Sequence, residues 1–164
     1  MRLARSKTAA TSGTPTPLPG SRPSAALTHG GLGDVSVVVL DTTVLIDILR
    51  GRPVLERLRV LRSRADVAAT SAVNVEEIMR GLRPAEHLSA KNLLDGLLVV
   101  RVDRAVGERA GTWRRDYAQQ GTTLSQADCL IAAAAAAAGG RLATGNPSHF
   151  PMPDLLVEHW PIGR

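Results

Sequence analysis

Val37, Val38, Val39 and Leu40 run together with no polar residue between them and stop at Asp41. Large aliphatics without alternation describe a strand covered on both faces, the condition of a central strand in a parallel sheet flanked by helices. The carboxylate that ends this strand falls where open α/β sheets form their ligand crevice. Thr42 and Thr43 follow as expected caps for a helix begun by Val44, Leu45 and Ile46. The chemistry is therefore sought around Asp41.

Downstream, short aliphatic runs alternate with helical stretches. Val54, Leu58 and Leu61 recur at helical spacing within 53–64, and a short strand at 67–70 ends at Ser71. Helices are expected over 74–82 and 84–94, the second opened by Pro84 in its first turn. A third buried strand is expected at 97–102, and Asp103 then caps a helix at 104–120. Gly107 and Gly111 share a face of that helix, which would let another backbone approach closely. Ser125 caps an alanine-rich helix at 126–138 that stops at Gly139; a strand at 142–144, a turn at Asn146-Pro147 and a last strand at 155–157 complete the chain. Such alternation predicts an α/β fold, a three-layer sandwich with a mostly parallel central sheet.

Size and composition narrow the function classes. With 164 residues, 44% of them hydrophobic, the chain suits one globular domain, placed at residues 35–164. Residues 1–34 are rich in Ser, Thr, Pro, Gly and Ala and are expected to form a disordered N-terminal extension. Their Arg/Ser-rich start resembles a transit peptide in composition but has no apolar core segment. Gly31-x-Gly33 precedes the strand instead of following it, which removes a dinucleotide loop. Net charge is +5, yet Arg2, Arg5, Lys7 and Arg22 against Asp34 leave +3 in the first 34 residues and only +2 in the rest. Global basicity is thus weak evidence for nucleic acid. Cys129 is alone, which excludes an intrachain disulfide and a cysteine zinc site and suits a core residue in a reducing compartment. No apolar run is long enough to span a bilayer, so a soluble, cytoplasmic protein without a membrane partner is expected. Trp113, Tyr117, Phe150 and Trp160 form no interleaved stacking series, which disfavours a passive single-strand RNA binder.

Placed on these elements, Asp41 ends the first strand, Glu77 lies one turn into the helix after the second, Asp128 occupies the first turn of the alanine-rich helix, and Asn146 follows the fourth strand. Converging there, they would make a site for a hard cation, which takes oxygen ligands and keeps several waters. Two carboxylates ~4 Å apart repel by about 4 kcal/mol at an effective dielectric near 20, whereas a helix N-terminus returns only about 0.3–1 kcal/mol. A divalent ion can hold such acids together; helix dipoles cannot.

Four ordered segments carry a resemblance: Asp41-Thr-Thr-Val-Leu-Ile-Asp47, Ser71-Ala-Val-Asn-Val-Glu-Glu77-Ile-Met-Arg-Gly81, Ala127-Asp128-Cys-Leu-Ile-Ala-Ala133, and Leu142-Ala-Thr-Gly-Asn146-Pro-Ser-His149-Phe150. Over residues 37–160 the chain resembles PIN-domain ribonucleases, and most of all the VapC toxins of bacterial toxin–antitoxin pairs. The resemblance implies a PIN-like fold and an endoribonuclease with catalytic positions Asp41, Glu77, Asp128 and Asn146. It implies Mg²⁺ or Mn²⁺ held by the acidic residues, Asp41 and Asp128 among them, with Asn146, often Asp in the family, either touching the metal or orienting water. It also implies an RNA substrate, a cognate VapB-type antitoxin and a homodimer.

Plainer roles stand beside these. Asp128 also fits the acid of a capping box with Ser125. Glu77 is preferred to Glu76 as the inward residue, because it shares a helical face with Asn74 and with Gly81, which permits close approach of another segment. Asp47 is expected either to support the site from behind or to be a surface charge. His149 is expected to make a structural hydrogen bond before serving as a base. Arg80, Arg83, Arg114 and Arg115 could meet phosphates or simply be solvated. Two further functional readings remain, a housekeeping RNA-processing nuclease of the same fold and a non-catalytic interaction module. Haloacid-dehalogenase chemistry would need Asp where Thr43 stands, and a receiver domain would need a late lysine, whereas the last is Lys91.

Overall fold

A computed structural model describes residues 36–163. The extension expected at 1–34 lies outside the described residues. Among the described residues, five strands form one sheet: β1 (Val37–Leu40), β2 (Val67–Ser71), β3 (Leu98–Val100), β4 (Arg141–Thr144) and β5 (Val157–His159). Their spatial order is β3-β2-β1-β4-β5, and every pairing is parallel. The helices are α1 (Thr42–Leu49), α2 (Val54–Ser63), α3 (Ala72–Gly81), α4 (His87–Asp95), α5 (Arg104–Gln119) and α6 (Gln126–Ala137). No helix among the described residues is long and apolar enough to cross a membrane.

β1 is the central strand that its composition predicts. Val38, Val39 and Leu40 are wholly buried, and the period of two sends Val38 and Leu40 to one face and Val39 to the other. On the first face they meet Val44, Leu45 and Ile48 of α1, Leu58 and Leu61 of α2, Ile78 of α3 and Ala90 of α4. On the second, Val39, Ala69 and Leu142 meet Val106 and Ala110 of α5 and the Cys129 to Ala135 stretch of α6. Alanine has no side-chain entropy to lose and little bulk, so α6 can lie close against the sheet while α5 packs on its outer side.

Several local expectations are corrected by this packing. Position 41, not Thr42 or Thr43, is the N-cap of α1, and both threonines lie inside the helix with their hydroxyls turned to other partners. The third strand is shorter than 97–102 and is not buried; β3 is an edge strand with Leu98 and Val99 exposed. The last strand begins at Val157, two residues later than expected. α3 starts at Ala72, capped by Ser71, and the helix opened by Pro84 begins as a 3-10 turn. Asp103 and Ser125 do cap α5 and α6, accepting from the N–H groups of Val106 and Asp128 at 3.0 Å each. Nothing within the chain comes close to Gly81, Gly107 or Gly111, so the close approaches expected there are absent among the described residues.

Candidate active site

In a parallel sheet every strand ends on the same edge, so residues following β1, β2 and β4 meet there. Asp41 is 5% exposed. Its N–H donates to the Ala143 carbonyl at 2.9 Å, which extends the β1–β4 pairing by one residue and fixes the carboxylate beside Thr144. Oδ2 accepts from Thr43 Oγ1 and Thr144 Oγ1, both at 2.8 Å, and Oδ1 receives a long contact from Asn74 Nδ2 at 3.5 Å. Asp41 accepts in each of these contacts, the part an ionised carboxylate plays. Oδ1 keeps spare acceptor capacity.

Asn74 is wholly buried and ties the second acid to the first. Its Oδ1 accepts from Ser71 N–H at 3.1 Å while Ser71 Oγ accepts from Asn74 N–H at 3.3 Å, a reciprocal cap that sets the start of α3. Its Nδ2 donates to Thr42 Oγ1 at 2.9 Å, and Thr42 spends its single hydroxyl proton on Glu77 Oε2. Glu77 is half-buried and faces this network, whereas Glu76 is exposed and pairs with Arg80 at 3.0 Å. Glu77 also lines a cleft of about 90 Å³ with Arg50, Glu86, Ile46, Leu49 and Leu82.

Asn146 and Asp128 approach from the other face. Asn146 N–H donates to Thr144 Oγ1 at 3.0 Å, and the Asn146 carbonyl accepts from His149 N–H at 3.1 Å. His149 Nδ1 stands 3.5 Å from Asp128 Oδ2. The capping role of Asp128 is carried by its backbone N–H alone; its carboxylate makes no return bond to Ser125 and is turned to His149. A line of contacts therefore runs from Glu77 through Thr42, Asn74, Asp41, Thr144, Asn146 and His149 to Asp128. Among the described residues no hydrogen bond joins Asp128 to Asp41 or Glu77.

Among the described residues, no three of His, Cys, Asp and Glu stand close enough to enclose a metal ion. The donor chemistry is nonetheless that of a hard cation: carboxylate oxygens, with spare acceptor capacity on Asp41 Oδ1 and with Glu77 Oε1 and Asp128 Oδ1 outside the contacts described. It suits an ion of the Mg²⁺ type, which is held by one or two carboxylates and keeps much of its water.

Asn74 and Thr144 were not singled out from sequence as site residues. Asn74 left a signal in the Ser71-x-x-Asn74 capping spacing; Thr144 left none, because its role depends on β4 lying beside β1. Asp47, expected behind the site or on the surface, is buried and bonded to Arg52 and Gly163. Arg80, Arg83 and Arg115 are engaged with Glu76, Glu86 and Asp116. The Arg83 hydrogen bond holds the pKa of the half-buried Glu86 carboxyl below the usual carboxylate range, at about 2. Arg114 is exposed and has no carboxylate within ion-pair distance among the described residues.

Residues 38–151 match the PIN domain family. Ribonuclease VapC10 from Mycobacterium tuberculosis is 33% identical over 120 residues, covering 73% of this chain and 90% of that protein. Ribonuclease VapC19 from the same organism is 30% identical over 120 residues, covering 71% and 95%. Among solved structures, a DNA-bound VapBC from Salmonella typhimurium superposes with a TM-score of 0.68 at 25% identity, covering 76% of this chain and 98% of that one. The family match spans the elements that carry Asp41, Glu77, Asp128 and Asn146, the two relatives are 30% or more identical over more than two thirds of the chain, and the chain belongs to the PIN-domain family, among its VapC-type ribonucleases.

Proposed function

We propose that this chain is a toxin endoribonuclease of a type II toxin–antitoxin pair, with Asp41, Glu77, Asp128 and Asn146 as its catalytic positions and residues 35–164 as its nuclease domain. The observation that carries the reading is the pre-set acid pair: Asp41 is held by Thr43 and Thr144, and Glu77 by Thr42, with carboxylate oxygens left over. Preorganised carboxylates waste no reorganisation when a phosphodiester arrives.

Hydrolysis adds water across a P–O bond, so the site must place a water in line with the leaving oxygen and take up its proton. Mg²⁺ or Mn²⁺, when bound, would lower the pKa of that water and polarise the phosphate. Asp41 and Asp128 would hold the ion. Glu77, half-buried and tied by one oxygen, orients water with the other. Asn146 presents a neutral amide after β4 and adds an oxygen without charge. Exposed Arg114 on α5 and the weakly held Arg80 supply cations for substrate phosphates, since exposed ion pairs exchange partners readily.

Relatives that crystallise as VapBC complexes support a cognate VapB-type antitoxin as partner, occupying the crevice and its 90 Å³ extension beside Glu77. A homodimer is part of the same reading. Incubation of the purified protein with total RNA, with and without Mg²⁺ or Mn²⁺, tests it: discrete metal-dependent cuts, suppressed by the antitoxin, are expected. Absence of cutting under every metal condition would sink the enzyme reading. The neutral Asn146 favours one alternative, a non-catalytic PIN module, which Mn²⁺ should fail to stabilise in a melting experiment.

A further inference from the structure

Asp47 is 3% exposed and lies on α1, six residues beyond Asp41. A buried carboxylate is costly unless it is paired and hydrogen-bonded. Arg52 Nη1 supplies the charge at 3.0 Å, and Gly163 N–H points between the two oxygens at 3.3 Å from each. Gly163 has φ +79°, a conformation that favours glycine, and so turns its N–H inward without strain.

That bond holds down residues 161–163. Trp160 makes the last sheet contact, donating to the Thr144 carbonyl at 2.8 Å. Beyond it, among the described residues, the hydrogen bonds on the segment are those from Gly163 to Asp47. Ile162 lies between and packs on Gly145 so closely that a Cβ there would sit 2.9 Å from its Cδ1 and Cγ1. Gly145 N–H in turn donates to Thr43 Oγ1 at 3.0 Å, the hydroxyl that donates to Asp41 Oδ2. Asn146 is the next residue.

We infer that Asp47 is a positioning residue: by tying residues 161–163 over Gly145 it fixes where the Gly145-Asn146 turn meets Asp41. Its catalytic consequence rests on the nuclease reading above; the mechanical link does not. A carboxylate that never touches substrate thus governs the approach of Asn146 and the hydroxyl that orients Asp41.

Hydrogen exchange on the full chain, read beside RNA cleavage, tests the link. In Asp47→Ala the Gly145 amide is expected to exchange faster by about tenfold or more, while Leu142, bonded to Leu156 within the sheet region, stays unchanged. Cleavage should lose about tenfold or more in kcat with KM for RNA unaltered, because misplacement acts on the reacting geometry. Asp47→Asn keeps an oxygen for Gly163 and should restore most of both. Ile162→Ala, which leaves the buried pair intact, should move Gly145 in the same direction. Unchanged Gly145 exchange in both alanine variants, or a rise shared equally by Leu142, overturns the strap. Unchanged kcat in Asp47→Ala, where the wild type cuts RNA, overturns the positioning role. A wild type that cuts no RNA removes the nuclease reading alone, and the exchange data then decide on the strap by themselves.

Discussion

Thr144 Oγ1 donates to Asp41 Oδ2 at 2.8 Å from a residue 103 positions away in the chain. The same hydroxyl accepts from Asn146 N–H, so the acid of β1 and the amide after β4 are registered by one side chain. Thr144→Val removes that hydroxyl without changing shape and leaves buried Asp41 short of a donor and Asn146 N–H short of an acceptor. A stability loss of about 1–3 kcal/mol is expected by urea unfolding, with Thr144→Ser close to wild type.

Asp41→Asn, Glu77→Gln and Asp128→Asn should each lower RNA cleavage by about a hundredfold or more, with the fold retained by circular dichroism. Each removes a charge and keeps the outline. If any two of the three kept near-normal cleavage, the site would be misassigned.

Thr42→Val should act differently from the acid variants. It strips Glu77 of its donor and leaves the buried Asn74 amide with only its long contact to Asp41, so melting temperature and cleavage should fall together. Thr42→Ser recovering both would fix the cause on the hydroxyl; recovery of neither would mean that the methyl packing matters instead.

Asn146→Asp should tighten Mn²⁺ binding in the absence of RNA, because it adds a charge to a site of oxygen donors. Asn146→Ala should reduce cleavage less than Asp41→Asn does. Calorimetry of Mn²⁺ binding to both variants checks this, and unchanged affinity in Asn146→Asp together with intact cleavage in Asn146→Ala would leave Asn146 a turn residue only.

Cys129 is wholly buried, and burial pushes its thiol up. Less thiolate and no access mean that iodoacetamide should label it slowly in the native protein and quickly in urea. Fast native labelling would show that α6 opens locally.

The chain's order of strands and helices could be read from aliphatic runs and caps because those signals are local. Leu98, Val99 and Val100 read as a buried strand because their aliphatic run is a local signal; only the spatial order β3-β2-β1-β4-β5 decides that they lie at the rim. The same limit applies to the site. Asp41, Asp128 and Asn146 announce themselves as polar residues at element ends and Glu77 as an acid one turn into a helix, whereas Thr144 and Gly163 acquire partners only once distant segments are brought together. Asp47 illustrates the point: six residues from Asp41, its sequence position leaves a supporting role and a surface charge both open, and its partner at Gly163 lies 116 positions on.

The alanine helix α6 has a consequence at the level of the gene. Seven alanines, 132 to 138, separate the segment bearing Asp128 from the glycine pair that leads into β4. Every alanine codon begins with GC, so this stretch is repetitive in the gene as well as in the helix. One codon gained or lost would turn the two ends of the helix by about 100° and shift them by about 1.5 Å relative to each other. Cells carrying either length change should survive expression that arrests cells with seven, a plating experiment in which continued arrest would show that the helix absorbs the slip.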